Sequence, residues 1–148
     1  MNINQFLVTE TTRLKKLFGT KHKKGFGSKE KFVEWGIEQL KKQKYSCYYC
    51  ETSIFDIRVL IENKKLRTRK TGYWIRGPVL EVDKKSNGHG YSPANCVFSC
   101  YYCNNDKSYT MDCEEYKEHF GQNRKKYFDK LVKCTVQSGK RKAMCILP

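Results

Sequence analysis

The residues able to do chemistry are concentrated in LEVDKKSNGHGYSPANCVFSCYYCNNDKS, positions 80–108. An apolar run ends at Asp83, and a Cys100-x-x-Cys103 knuckle is followed at once by Asn104. Asp83 and Asn104 offer hard oxygens, a donor set that suits Mg²⁺ or Mn²⁺ with water and phosphate completing the shell. An ion held there can polarise a phosphate and stabilise a leaving 3′ oxygen. Asn95, in the next apolar run, carries an amide that can tie the intervening loop through its backbone. Asp and Asn are ordinary turn formers, so the spacing relative to the knuckle gives these positions their meaning.

The soft ligands form a second set. Cys47-x-x-Cys50 and Cys100-x-x-Cys103 supply four thiolates, which suits a tetrahedral zinc closed to solvent. The long interval between the pairs predicts a structural ion that clamps the helix at 101–108 to the start of residues 54–76. Buried thiols or disulfides are the alternative for such knuckles. Cys96, Cys113, Cys134 and Cys145 lack this spacing, and Cys96 reads as a small core residue.

Hydrolysis at such a site needs a proton acceptor, and three loop residues compete for the role. Lys84 is a poor base near neutrality, since a free lysine titrates at about 10.4, so it suits phosphate binding or transition-state charge. His89 has the right intrinsic basicity but sits in the flexible NGHG tip. Tyr91 lies in GYSP, where Pro93 stiffens the entry to the second strand, and it would need nearby positive charge to titrate lower. Basicity alone favours His89.

The elements that position these groups can be read from pattern. PVLEVD (78–83) and ANCVFSC (94–100) read as strands around a glycine-punctuated loop, with Pro78 at a strand start. YYCNNDKSYT begins a short helix. The unit is therefore ββα. Upstream, Ser28 caps a helix whose face is Phe32, Val33, Gly36, Ile37 and Leu40, with Trp35 at its edge. A helix is expected over about 4–17, followed by a mobile basic arm broken by Gly19, Gly25 and Gly27. Residues 54–76 carry seven Lys and Arg against two acids, and RKTG reads as a turn between extended pieces. MDCEEYKEHF and NRKKYFDKLVK read as helices separated by Gly121, ahead of a loose basic tail. The expected fold class is α+β. The divisions are a basic N-terminal helix and arm (1–27), a core (28–120) with a basic insert (54–76), and a C-terminal helix and tail (121–148).

The chain has 148 residues, 30 Lys and Arg against 15 acids, and a formal charge of +15. Such an excess implies a polyanionic partner. No apolar run approaches the ~20 residues of a spanning helix. The N-terminus has no basic segment followed by an apolar one, so it does not read as a signal peptide and an intracellular location is expected. Ten Tyr, eight Phe and two Trp interleave with the cations, a composition that can stack on bases while the cations hold phosphates. The candidates for DNA contact are Arg58, Lys64, Lys65, Arg67, Arg69, Lys70 and Arg76.

LEVD, GYSPANCVFSC and CYYCNNDKS together resemble the HNH (ββα-metal) nuclease family, and within it the PacI-like restriction endonucleases. The similarity extends back into KFVEW, so it covers about 29–117. The family's Asp-His, Asn and terminal His or Asn appear as Asp83, Asn95 and Asn104, with Lys84 in the histidine place. PacI-like enzymes also put a cation after the aspartate and then a GYSP loop. The resemblance implies a zinc-stapled nuclease, often homodimeric, that cuts double-stranded DNA with a divalent ion and uses a tyrosine, here Tyr91, as base. One feature departs from that pattern: a second N-terminal zinc motif is missing, since no cysteine precedes Cys47. The other readings of the sequence are a catalytically silent zinc-binding nucleic-acid module, or a homing, phage or toxin nuclease.

Overall fold

The computed structural model of the chain describes residues 2–144, with side chains through residue 136. Seven α-helices and two antiparallel β-hairpins are described. α1 (Ile3–Leu17) starts at Asn2, whose side chain accepts a hydrogen bond from the Gln5 amide. Its buried positions Phe6, Glu10 and Leu14 recur every fourth residue, the spacing of a helix with one face inside. The segment expected to be a mobile arm is instead helix α2 (Thr20–Phe26), with His22 and Phe26 buried. α3 (Lys29–Lys42) is capped by Ser28 and buries Phe32, Gly36 and Leu40. A Cβ on Gly36 would lie 2.6 Å from the Leu14 side chain, so glycine there lets α1 and α3 approach.

The knuckle follows α3, with its turn closed by the Glu51 amide donating to Cys47. Residues 54–62, expected to be extended, form α4 (Ile54–Glu62), and Ser53 caps it by accepting from the Phe55 amide. β1 (Arg69–Thr71) and β2 (Trp74–Arg76) form a small separate hairpin. β3 (Leu80–Lys84) pairs with β4 (Cys96–Cys100), Asp83 opposite Val97 and Leu80 opposite Cys100. The Gln43 side chain donates to the Phe98 carbonyl and accepts from its amide. With the Tyr48 amide, which also donates to the Phe98 carbonyl, it satisfies the free edge of β4.

α5 (Tyr101–Lys107) packs on both strands and completes the ββα unit. α6 (Cys113–Tyr116) runs through a π-helical turn (Lys117–Gly121) directly into α7 (Gln122–Met144). Gly121 therefore lies within a continuous helical segment and does not break it. A Cβ there would sit 2.4 Å from the Tyr49 carbonyl oxygen, so the glycine serves close packing on the knuckle. The basic end expected to be a loose tail continues α7 through Met144, and Cys145 lies outside the described residues. The core joins Phe6, Leu14, Phe32, Leu40, Ile57 and Phe98, and Trp35 stacks on Phe98 with ring centroids 5.5 Å apart. Among the described residues no helix is long and apolar enough to cross a membrane.

Candidate active site

The four knuckle cysteines converge. Cys47 and Cys50 come from the turn after α3, Cys100 ends β4, and Cys103 lies in the first turn of α5. All four are buried, and their sulfurs lie within 4.8 Å of one another. Tetrahedral zinc with Zn–S bonds of about 2.3 Å fits sulfurs at this spacing, for example the 4.0 Å between Cys50 and Cys100. Burial pushes the Cys100 thiol well above its ordinary value, while hydrogen bonds from the neighbouring thiols draw Cys50 down. One thiolate is thus favoured and further negative charge is opposed, the condition that a divalent cation relieves. Cys96 and Cys113 are buried outside this cluster.

β3 and α5 carry the hard donors. Glu81 and Asp83 are two residues apart and so share one strand face. Asn104 and Lys107 are three apart and share one helix face. The two faces meet. Asn104 donates through Nδ2 to Glu81 at 2.7 Å, which leaves its amide oxygen as a donor atom for a cation. Lys107 is fully buried with its Nζ 3.5 Å from Asp83 Oδ2. The Tyr49 hydroxyl donates to the same oxygen at 2.7 Å. Burial raises the Asp83 carboxyl above its usual range, and Tyr49 and Lys107 pull it back. Asp83, Glu81 and Asn104 are each hard oxygen donors of the kind Mg²⁺ or Mn²⁺ takes, but Glu81 is engaged by Arg76 and Asn104, and Asp83 by Tyr49 and Lys107. Glu81, Lys107 and Tyr49 were absent from the sequence-based site. A carboxylate two residues before Asp83 and a lysine one turn after Asn104 were the available signals.

The loop between the strands is held by Asn95. Its Oδ1 accepts from the Ser86 amide at 2.9 Å, and its Nδ2 donates to the carbonyls of Ser86, His89 and Gly90. His89 is exposed at the tip, 3.1 Å from the Ser86 hydroxyl. Tyr91 is half-buried and points back to the body of the chain. Lys21 and Lys84 lie 4.9 and 5.7 Å from its ring centroid, and Lys84 also donates to the Asn87 carbonyl. Burial nevertheless raises the Tyr91 hydroxyl above its ordinary value, with Cys96 and Asp83 adding to the effect. Desolvation is the leading cause of that rise.

α2 brings an unexpected residue to this place. His22 packs edge-on against Tyr91, centroids 4.9 Å apart, and its Nδ1 accepts from the Gly19 amide. Its Nε2 is buried without a partner, and burial lowers its pKa to about 4. So weak a base stays neutral at physiological pH and serves to place the Tyr91 ring. A cleft of about 290 Å³ is lined by His22, Lys21, Tyr91, Asn104, Glu81 and Trp74. A larger hollow of about 760 Å³ lies beside Pro93 and Cys96 and contains none of the hydrolytic candidates.

The cationic candidates divide. Lys64, Lys65, Arg67, Arg69 and Lys70 are exposed. Arg58 is turned inward, with Nε donating to the Pro78 carbonyl and its guanidinium over the Phe6 ring. Arg76 pairs with both oxygens of Glu81. These two are occupied within the fold.

No protein-family model and no curated protein matches the chain. Among solved structures it is similar to the rare-cutting HNH restriction endonuclease PacI, described with a mechanism of DNA perturbation. The two are 28% identical with a TM-score of 0.52, over 68% of this chain and 63% of that one. The chain is an α+β protein with an HNH-like ββα core beside a four-cysteine cluster that could bind zinc.

Proposed function

We propose that this chain is a metal-dependent endonuclease that hydrolyses phosphodiester bonds of double-stranded DNA, with site-specific, restriction-type cutting. The observation that carries the reading is the cleft in which Tyr91 and Asn104 face a common space beside the exposed Lys21, on a core similar to PacI. In this reading Cys47, Cys50, Cys100 and Cys103 hold structural zinc, and Asp83 and Asn104 hold Mg²⁺ or Mn²⁺. When bound, that ion supplies positive charge that stabilises the leaving 3′ oxygen and favours the phenolate of Tyr91.

Tyr91, as phenolate, takes a proton from water. The water oxygen bonds to phosphorus, the P–O3′ bond breaks, and the 3′ oxygen leaves with the electron pair and is protonated by solvent. Lys84 offsets charge on the phosphate. Asn95 keeps the loop in one conformation. His89 takes no part, since it sits at the exposed tip, whereas Tyr91 is held in the cleft. The test is incubation of a complex DNA library with Mg²⁺ or Mn²⁺. Discrete fragments are expected, and both Asp83→Ala and Asn104→Ala should abolish them while DNA binding survives. Undiminished cutting by both variants would refute the site. Binding without any nicking by the unaltered protein would instead identify a silent DNA-binding module.

A further inference from the structure

The β1–β2 hairpin is short, and an isolated two-stranded hairpin is marginally stable in water. Its base is nevertheless fixed. Arg76 binds Glu81 through two nitrogens and lies 4.7 Å from the Tyr101 ring centroid. Tyr102 donates to the Arg67 carbonyl at 3.0 Å. The tip, by contrast, projects into solvent. Tyr73 is 103% exposed, Trp74 58% and Ile75 57%. Single exposed apolar residues are normal, but three consecutive ones on an anchored projection call for a partner.

The charge around the tip selects that partner. Arg67, Arg69, Lys70 and Arg76 flank it, and residues 63–80 contain no Asp or Glu. Trp74 also lines the cleft that holds Tyr91 and Asn104. Arg76 and Asn104 both bind Glu81, so one carboxylate connects the hairpin to the site. We propose that Tyr73 and Trp74 form a wedge that stacks on bases at an opened step of duplex DNA, while Arg69 and Lys70 hold the adjoining phosphates. This rests on the proposed DNA-cutting role for its substrate, and it assigns the aromatic tip of the hairpin as the element of this chain that contacts bases beside the cleft. Apolar side chains placed between base steps unstack them and bend the duplex.

The experiment measures binding of a mixed-sequence duplex without Mg²⁺ or Mn²⁺, and cleavage separately with the ion. The indole emission of the unaltered protein should be quenched when duplex is added, and this quenching should be absent in Trp74→Phe, which keeps only Trp35. Trp74→Ala should bind about 5- to 150-fold more weakly, the range of one lost base–aromatic stack. Its salt dependence should be unchanged, because no ionic contact is lost. Lys70→Ala should instead reduce the salt slope by about 1. Unquenched emission with unaltered Trp74→Ala affinity would overturn the wedge. So would a Trp74→Ala protein that changes from dimer to monomer at constant affinity per chain, since the tip would then be a protein interface. A protein that shows the quenching but never cuts DNA would refute the nuclease reading and leave the wedge standing.

Discussion

Gly25 is the position where a single methyl group tests the whole arrangement. It lies in α2 against the GYSP loop, and an added Cβ would sit 1.7 Å from the Tyr91 carbonyl oxygen. An ordinary van der Waals contact begins near 3.4 Å, so Gly25→Ala must separate α2 from the loop by 3.4 − 1.7 = 1.7 Å. The obstacle is backbone and cannot rotate away. Overpacking of this kind costs about 1–3 kcal/mol, which the fold should survive. The displacement falls on Tyr91 and on His22, whose ring edge meets it at 4.9 Å. A misplacement of about 1 Å can cost on the order of 10²-fold in rate. Gly25→Ala should therefore cut DNA at least 10²-fold more slowly and bind duplex nearly as well. Single-turnover cleavage and filter binding separate the two, with chemical denaturation to measure the stability change. Gly19→Ala is the control, since nothing lies within 4 Å of its added Cβ. Normal cutting by Gly25→Ala, at the expected loss of stability, would show that Tyr91 does not need its present position, and the assignment of the base would fail.

Four further outcomes follow from the same geometry. Tyr91→Phe removes only the hydroxyl and should slow cutting about 10²–10⁴-fold with binding intact, while His89→Ala should be mild; the reverse pattern in cleavage rates would give the role to the histidine. One zinc per chain is expected by metal analysis, and Cys47→Ser should lose both the zinc and the fold; a folded, zinc-loaded Cys47→Ser would refute the cluster. Lys107→Met leaves Asp83 buried without its cation, a loss of about 3–5 kcal/mol, and adding Asp83→Asn should restore most of it in denaturation curves. His22 is depressed to about 4 in the folded chain, below the 6.5 of a free imidazole, so the unfolded chain binds the proton first. Its contribution is present above pH 6.5 and is lost as pH falls from there toward 4; thermal unfolding of His22→Phe should show a weaker pH dependence across that window.

The ββα unit was legible because its signals are local. β3 and β4 are short apolar runs bounded by turn residues, and the second knuckle marks the start of α5. The errors share a different cause. Gly25 and Gly121 were read as breaks, yet both lie in helical segments where another backbone approaches too closely for a side chain. That need belongs to tertiary packing, which no local pattern records. α4 was missed because Ile54, Ile57, Val59 and Ile61 favour strands as single residues. Helix burial of Ile54, Ile57 and Leu60 overrode that preference. Arg58 was counted among free cations because sequence shows its charge but not the Pro78 carbonyl waiting for it.

The site was half legible for a related reason. Asp83, Asn95, Asn104 and the four cysteines announce themselves by type and spacing, but the groups that set their properties lie elsewhere in the chain. In the sequence Tyr49 lies inside a knuckle and Lys107 is one of many lysines, yet both reach Asp83 Oδ2. The pairing explains how a carboxylate can be kept where desolvation alone would neutralise it. Lys84 then does not have to be a base for the site to be complete. It lies over the Tyr91 ring, as Lys21 does, and that second cation comes from a segment whose sequence reads as a mobile arm. The residue that breaks the histidine pattern is thus one half of a charge pair around a tyrosine. The other half is carried by the helix that Gly25 lets close against the loop.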